Sequence, residues 1–163
     1  MRRLGYALAL VVAIPTLASA QGTAWPITPV MKDALNTMVA NVAKIEYAPE
    51  RERWQANVDL WRVRFDNQGK LSPAAMKAME PAFATMERNV GRLIEPKEKE
   101  RWATNGNMWI IVRSSAESEM EPDPGMLKAL FTIMQANVKR IDQPEEMERW
   151  TANVALWKAM LEP

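Results

Sequence analysis

Met134-Gln135-Ala136-Asn137-Val138, and ten residues on Glu148-Arg149-Trp150-Thr151-Ala152-Asn153-Val154-Ala155-Leu156-Trp157, decide how this chain folds, because the same text occurs three times. One step of 48 residues toward the N-terminus gives Met86, Asn89, Val90, Glu100, Arg101, Trp102, Asn105 and Trp109. A second step gives Met38, Asn41, Val42, Glu52, Arg53, Trp54, Asn57 and Trp61. A fixed period in this range marks one supersecondary unit copied in tandem. It is longer than a tetratricopeptide or ankyrin repeat, and their signatures are absent.

Each copy opens with a capping side chain and a proline: Thr28-Pro29, Ser72-Pro73 and Asp123-Pro124. An oxygen-bearing side chain before proline is a helix start, since proline at the first helical position gives up an N–H that has no partner anyway. A four-three apolar stripe follows: Met31, Leu35, Met38, Val42 and Ile45, repeated as Met79, Phe83, Met86, Val90 and Leu93 and as Leu127, Phe131, Met134, Val138 and Ile141. That spacing predicts an amphipathic helix. Pro49, Pro96 or Pro144 then breaks each copy, and acidic residues such as Glu50, Glu98 and Glu145 crowd the next first turn, where they suit the positive end of a helix dipole. A second stripe runs through Trp54, Val58, Trp61 and Phe65, and in the last copy through Trp150, Val154, Trp157 and Leu161.

Two stripes joined by a short break make an antiparallel helical hairpin. The expected fold is therefore all-α: three tandem hairpins, 28–66, 72–114 and 123–163, with six main helices stacked as a short solenoid or closed into a bundle. The linkers are 66–71 and 114–122. Pro81 lies inside the first helix of the middle copy, which should start late or kink. That copy also carries Ile110-Ile111-Val112, apolar on both sides, as expected of a helix sandwiched between two neighbours.

Residues 1–20 read as a secretory signal peptide. Arg2 and Arg3 are the positive region, Leu4 to Ile14 is an apolar run too short to anchor, and Ala18-Ser19-Ala20 is a small-residue cleavage site. Cleavage there leaves 21–163 as a single domain with 19 basic and 20 acidic residues. Interspersed, nearly balanced charge gives no general attraction for nucleic acid. No later stretch reaches the length of a transmembrane anchor. The expected location is periplasmic or secreted, and with no cysteine in the sequence the fold must be held by packing.

Histidine and cysteine are both missing, which removes thiol nucleophiles, Ser-His-Asp triads and the usual zinc or haem ligands. The six glycines form no phosphate loop, and no cofactor is expected. The leading functional expectation is a non-catalytic exported module that binds a small ligand, a glycan or a protein partner. One alternative is an all-α glycan-active enzyme using a carboxylate, for which Glu117 and Glu119 in the acidic linker are the candidates. The other is copper(I) handling by thioethers, with Met76 and Met79 at one-face spacing.

The tryptophans are the most suggestive residues. Pairs seven apart share one helical face beside Asn57, Asn105 or Asn153 and a flanking arginine, a combination that suits a sugar, peptide or aromatic ligand. The same residues also serve packing: an indole buries a large apolar area, Asn41 and Asn57 can hydrogen-bond across the hairpin or to a neighbouring backbone, and Arg53 can pack its stem and pair with a carboxylate. Function is expected where the copies disagree. Gly106 replaces a valine between two tryptophans, and there either another helix approaches or a void opens. The candidate ligand-binding residues are accordingly Arg101, Trp102, Asn105, Gly106 and Trp109 of the middle copy.

Overall fold

A computed structural model describes residues 25–118, 120 and 122–162, so the signal peptide reading and Glu119 lie outside the described residues. Six helices follow one another: α1 (Pro29–Val42), α2 (Ala48–Asp66), α3 (Pro73–Gly91), α4 (Pro96–Glu117), α5 (Pro124–Val138) and α6 (Pro144–Leu161). Among the described residues there is no strand, and no helix is long and apolar enough to cross a membrane.

The caps form as the sequence predicts. Thr28 Oγ1 accepts from the Met31 N–H at 3.3 Å, Ser72 Oγ from Ala75 at 3.2 Å, and Asp123 Oδ1 from Gly125 at 2.8 Å, each immediately before a proline. α3 starts at Pro73 and runs through Pro81 to Gly91, so it does not start late. Pro81 is exposed, and so is Lys77, whose carbonyl would otherwise have taken the missing N–H. A carbonyl open to solvent there would be hydrated rather than orphaned, which lowers the cost of proline in a helix interior.

The three repeats close into a ring. Trp54 lies edge-on to Trp102 at 4.8 Å and to Trp150 at 5.0 Å, and Trp102 meets Trp150 at 5.0 Å. One layer along, Trp61, Trp109 and Trp157 form a second triangle at 4.7 to 4.9 Å. In an open stack the first and third copies would not touch. Here every copy touches both others, and α2, α4 and α6 surround a common axis. The outer helices seal the inner ones, each lying more extensively on the inner helix of the preceding copy (α3 on α2, α5 on α4, α1 on α6) than on its own hairpin partner.

Closure corrects one expectation. A ring has no middle copy, so nothing sandwiches α4: Ile110 is 53% exposed, Ile111 is partly exposed, and only Val112 is buried.

Val112 and Met160 are buried at one end of the axis, and the equivalent residue of the first copy is Arg64, which is also fully buried. Its Nη2 donates to the Trp25 carbonyl at 3.1 Å, and its guanidinium faces the rings of Trp25 and Trp61 at 5.3 and 5.8 Å. Nε and Nη1 find no partner. The lead segment is thus pinned across the end of the bundle. Gly69, at φ 80°, makes room for it, since a Cβ there would meet the Trp25 carbonyl oxygen at 2.0 Å. Burial lowers the Arg64 pKa to about 10.

Replacing Arg64 by methionine, the residue of the third copy, should stabilise the fold by on the order of 1–3 kcal/mol, because a buried cation without a carboxylate is costly. Its folded pKa lies below that of the unfolded chain. Below pH 10 both states hold the proton and the full cost applies; above it the unfolded chain holds more protons and wild-type stability rises relative to the variant. Denaturant melts of both proteins at neutral and alkaline pH check this, and the gap should narrow on the alkaline side.

Candidate functional site

The repeated polar residues meet inside the ring. Asn57, Asn105 and Asn153 are all fully buried and linked in a cycle: the Asn57 amide donates to Asn153 Oδ1 at 2.9 Å, Asn153 to Asn105 at 3.0 Å, and Asn105 to Asn57 at 2.9 Å. Each oxygen also accepts an indole N–H, from Trp61 on Asn153, Trp109 on Asn57 and Trp157 on Asn105, at 2.9 to 3.2 Å. Because an indole N–H can only donate, these bonds fix which side-chain atom of each asparagine is oxygen. The second amide hydrogen of each points to a methionine sulfur of its own hairpin, Met38, Met86 or Met134, at 3.5 to 3.8 Å. Each carboxamide therefore uses both donors and both acceptor positions. A bond across the hairpin is part of the pattern, but the stronger links run between copies.

Around this axis the arginines link the copies in the opposite sense. Arg53 pairs with Glu98 of the next copy at 2.6 Å, Arg101 with Glu146 at 2.8 Å, and Arg149 with Glu50 at 2.6 Å. The arginines are buried and the glutamates half-buried. For Glu98, burial raises the carboxyl pKa more than the Arg53 charge beside it lowers it. At exposed Glu95 the backbone N–H groups of Glu98 and Lys97 lower it.

This geometry places four of the five candidate ligand residues in the sealed interior. Trp102, Trp109 and Asn105 are at most 1% exposed, and Arg101 is 6% exposed and ion-paired. They are brought together, but with one another, and present no open face to a ligand. Gly106 stands apart. A Cβ built on it meets nothing within 4 Å, so no helix approaches it, while the neighbouring indoles of Trp102 and Trp109 are buried. Gly106→Ala should therefore raise stability by about 0.5–1 kcal/mol through helix propensity alone, read as a higher denaturation midpoint.

A concave feature of the described surface lies elsewhere, on the seam where α6 meets α1. It is an open groove of about 640 Å³. α1 contributes Val30, Asp33, Ala34 and Thr37, and α6 contributes Pro144, Met147, Glu148, Thr151, Ala152 and Ala155. Both sets advance by threes and fours, so each is one stripe of its helix. The floor is apolar and small: Ala34 and Ala152 are buried, Met147 and Ala155 half-buried, and Val30 is 59% exposed. The only charges in the lining, Asp33 and Glu148, are both negative, exposed and outside any ion pair among the described residues.

Comparison of the chain with known protein families, curated proteins and solved structures gave no match.

Neither the text the copies share nor the departures of the middle copy mark the groove, which lies on the seam between the last copy and the first. A signal was there in the alignment of the copies. Met147 stands where the other two have Arg51 and Lys99, and Asp33 where they have Pro81 and Ala129. The last seam thus differs from the other two by losing a cation and gaining an anion.

Proposed function

We propose that the chain is an exported, non-catalytic binding or scaffolding module whose working surface is the groove between α1 and α6. The observation that carries this reading is the division of labour among its polar groups. Asn57, Asn105, Asn153 and the six repeated tryptophans are engaged with one another in the closed interior and Arg53, Arg101 and Arg149 with glutamates, so contact with a partner falls to the outside, where this groove combines an apolar floor with carboxylates unpaired among the described residues. Its volume lies in the range of small-molecule and peptide sites. Of the enzyme candidates, Glu117 is held by Arg113 at 2.7 Å on an exposed helix face. Of the two candidate thioethers Met79 is buried and Met76 half-buried, and elsewhere in the core the sulfurs of Met38, Met86 and Met134 face asparagine amides.

Amide chemical shifts test the reading. Peptides and cell-wall fragments titrated into the labelled protein should move resonances along α1 and α6 while the emission of the buried tryptophans stays constant. Shifts confined to other faces, or hydrolysis of a glycan lost on replacing a carboxylate, would overturn it. Export has its own test: N-terminal sequencing of protein recovered from outside the cytoplasm should begin at Gln21, and a chain retained inside with Met1 intact would remove that part of the proposal.

A further inference from the structure

Resting on that reading, we infer that the groove receives a cationic amphipathic helix, with Asp33 and Glu148 pairing with its basic residues and its apolar face lying on Ala34, Met147, Ala152 and Ala155. The shape argues for a helix. On α6 the lining residues run from Pro144 to Ala155 at three-four spacing, about 16 Å of helix at 1.5 Å per residue, and α1 supplies a matching stripe opposite. Two such stripes leave a trough into which a third helix inserts its ridge, the arrangement by which amphipathic helices are taken up in grooves. Alanines and threonines on both walls allow close approach.

The charge argues for a cationic partner. Two carboxylates, unpaired among the described residues, flank the floor, and no basic side chain is in its lining. A neutral or acidic helix would leave them without a partner or repel them, whereas lysine or arginine on the edges of the incoming helix would meet them. The other copies show what a closed version looks like in sequence. Arg51 and Lys99 stand at the place of Met147, so those seams carry a cation where this one is apolar, and in the first of them the glutamate is already engaged, Glu52 accepting from the Asn89 amide at 3.2 Å.

A synthetic helix of leucine and lysine, with the lysines on both edges of its apolar face, is the probe; the controls carry glutamine or glutamate at the lysine positions. Titration calorimetry and amide shifts should show the lysine peptide bound along α1 and α6, with the glutamine peptide at least about tenfold weaker and the glutamate peptide weaker still. The double variant Asp33→Asn with Glu148→Gln, and separately Met147→Lys, should each weaken the lysine peptide about tenfold, a loss of about 1.4 kcal/mol. All three substitutions fall at exposed or half-exposed sites, and an unchanged melting temperature confirms the fold is intact. Equal binding of the lysine and glutamine peptides on α1 and α6, or indifference to the double variant, would overturn the cationic partner and leave groove binding standing. Failure of every peptide to shift α1 and α6, while another ligand class does, would overturn the helix and keep the module. Silence of these helices toward every class would overturn both.

Discussion

Asn105→Ala is expected to cost about 3–5 kcal/mol, a large share of the 5–15 kcal/mol that holds a domain of this size. The loss is larger than one deleted amide suggests. Asn105 Oδ1 accepts from both Asn153 and Trp157, and its amide donates to Asn57 and to the Met86 sulfur. Removing the side chain leaves the Trp157 N–H without a partner in a region closed to water, and leaves Asn153 with only a sulfur to donate to. Each orphaned donor carries its full desolvation cost, about 1–3 kcal/mol, and the vacated volume adds a cavity term.

The cyclic arrangement makes a sharper statement available. Once Asn105 is gone, the cycle is broken, and removing Asn57 as well should cost clearly less than it does in the intact protein. Chemical denaturation of the two single variants and the double variant measures that coupling. Additive losses would mean that the three asparagines act separately.

Much of this fold was legible in the sequence, and the reason is physical. Caps, proline starts and the four-three stripes are local, and three copies repeat them, so the six helices and their approximate ends follow from spacing alone. Arg53 was readable as a residue with a packed stem and a carboxylate partner because a flank position on a helix leaves an arginine few other options. The closure of the ring was not legible. An apolar stripe records that a helix has a neighbour but not which one, and a hairpin stacked in a row needs the same stripe as a hairpin set around an axis. The long-range pairs that decide between them, Trp54 with Trp150 and Asn57 with Asn153, join residues 96 apart and leave no mark on local spacing. The candidate site was misread for a related reason. Tryptophan beside asparagine and arginine is the composition of a ligand pocket and also that of a saturated buried network, and only three-dimensional placement distinguishes them. Gly106 looked meaningful as a departure from the repeat, yet it faces open space; Met147, a departure of the same kind, lies in the groove.

Trp102→Ala should cost on the order of 3–5 kcal/mol, and Trp54→Ala and Trp150→Ala, its equivalents in the first triangle of tryptophans, nearly as much. Each indole in that layer makes two edge-to-face contacts at 4.8 to 5.0 Å, and its loss removes both along with the buried area. In Trp102 the Arg53 guanidinium also lies over the ring at 5.8 Å, as Arg149 lies over Trp54 at 5.7 Å. Near-equality across the three copies is the discriminating feature. An open stack has two end copies with one neighbour each, so truncating Trp102 would cost far more than truncating Trp54 or Trp150. A ring gives every copy two neighbours, and the three losses converge. Trp150→Ala should be the mildest of the set, because its Nε1 is buried without a hydrogen-bond partner, so deleting that indole also relieves an unmet desolvation cost. Equilibrium unfolding of the three variants in denaturant therefore reads the topology from energetics: closely grouped losses, with Trp150 lowest, belong to a closed three-fold bundle, and a single dominant loss at Trp102 belongs to a stack.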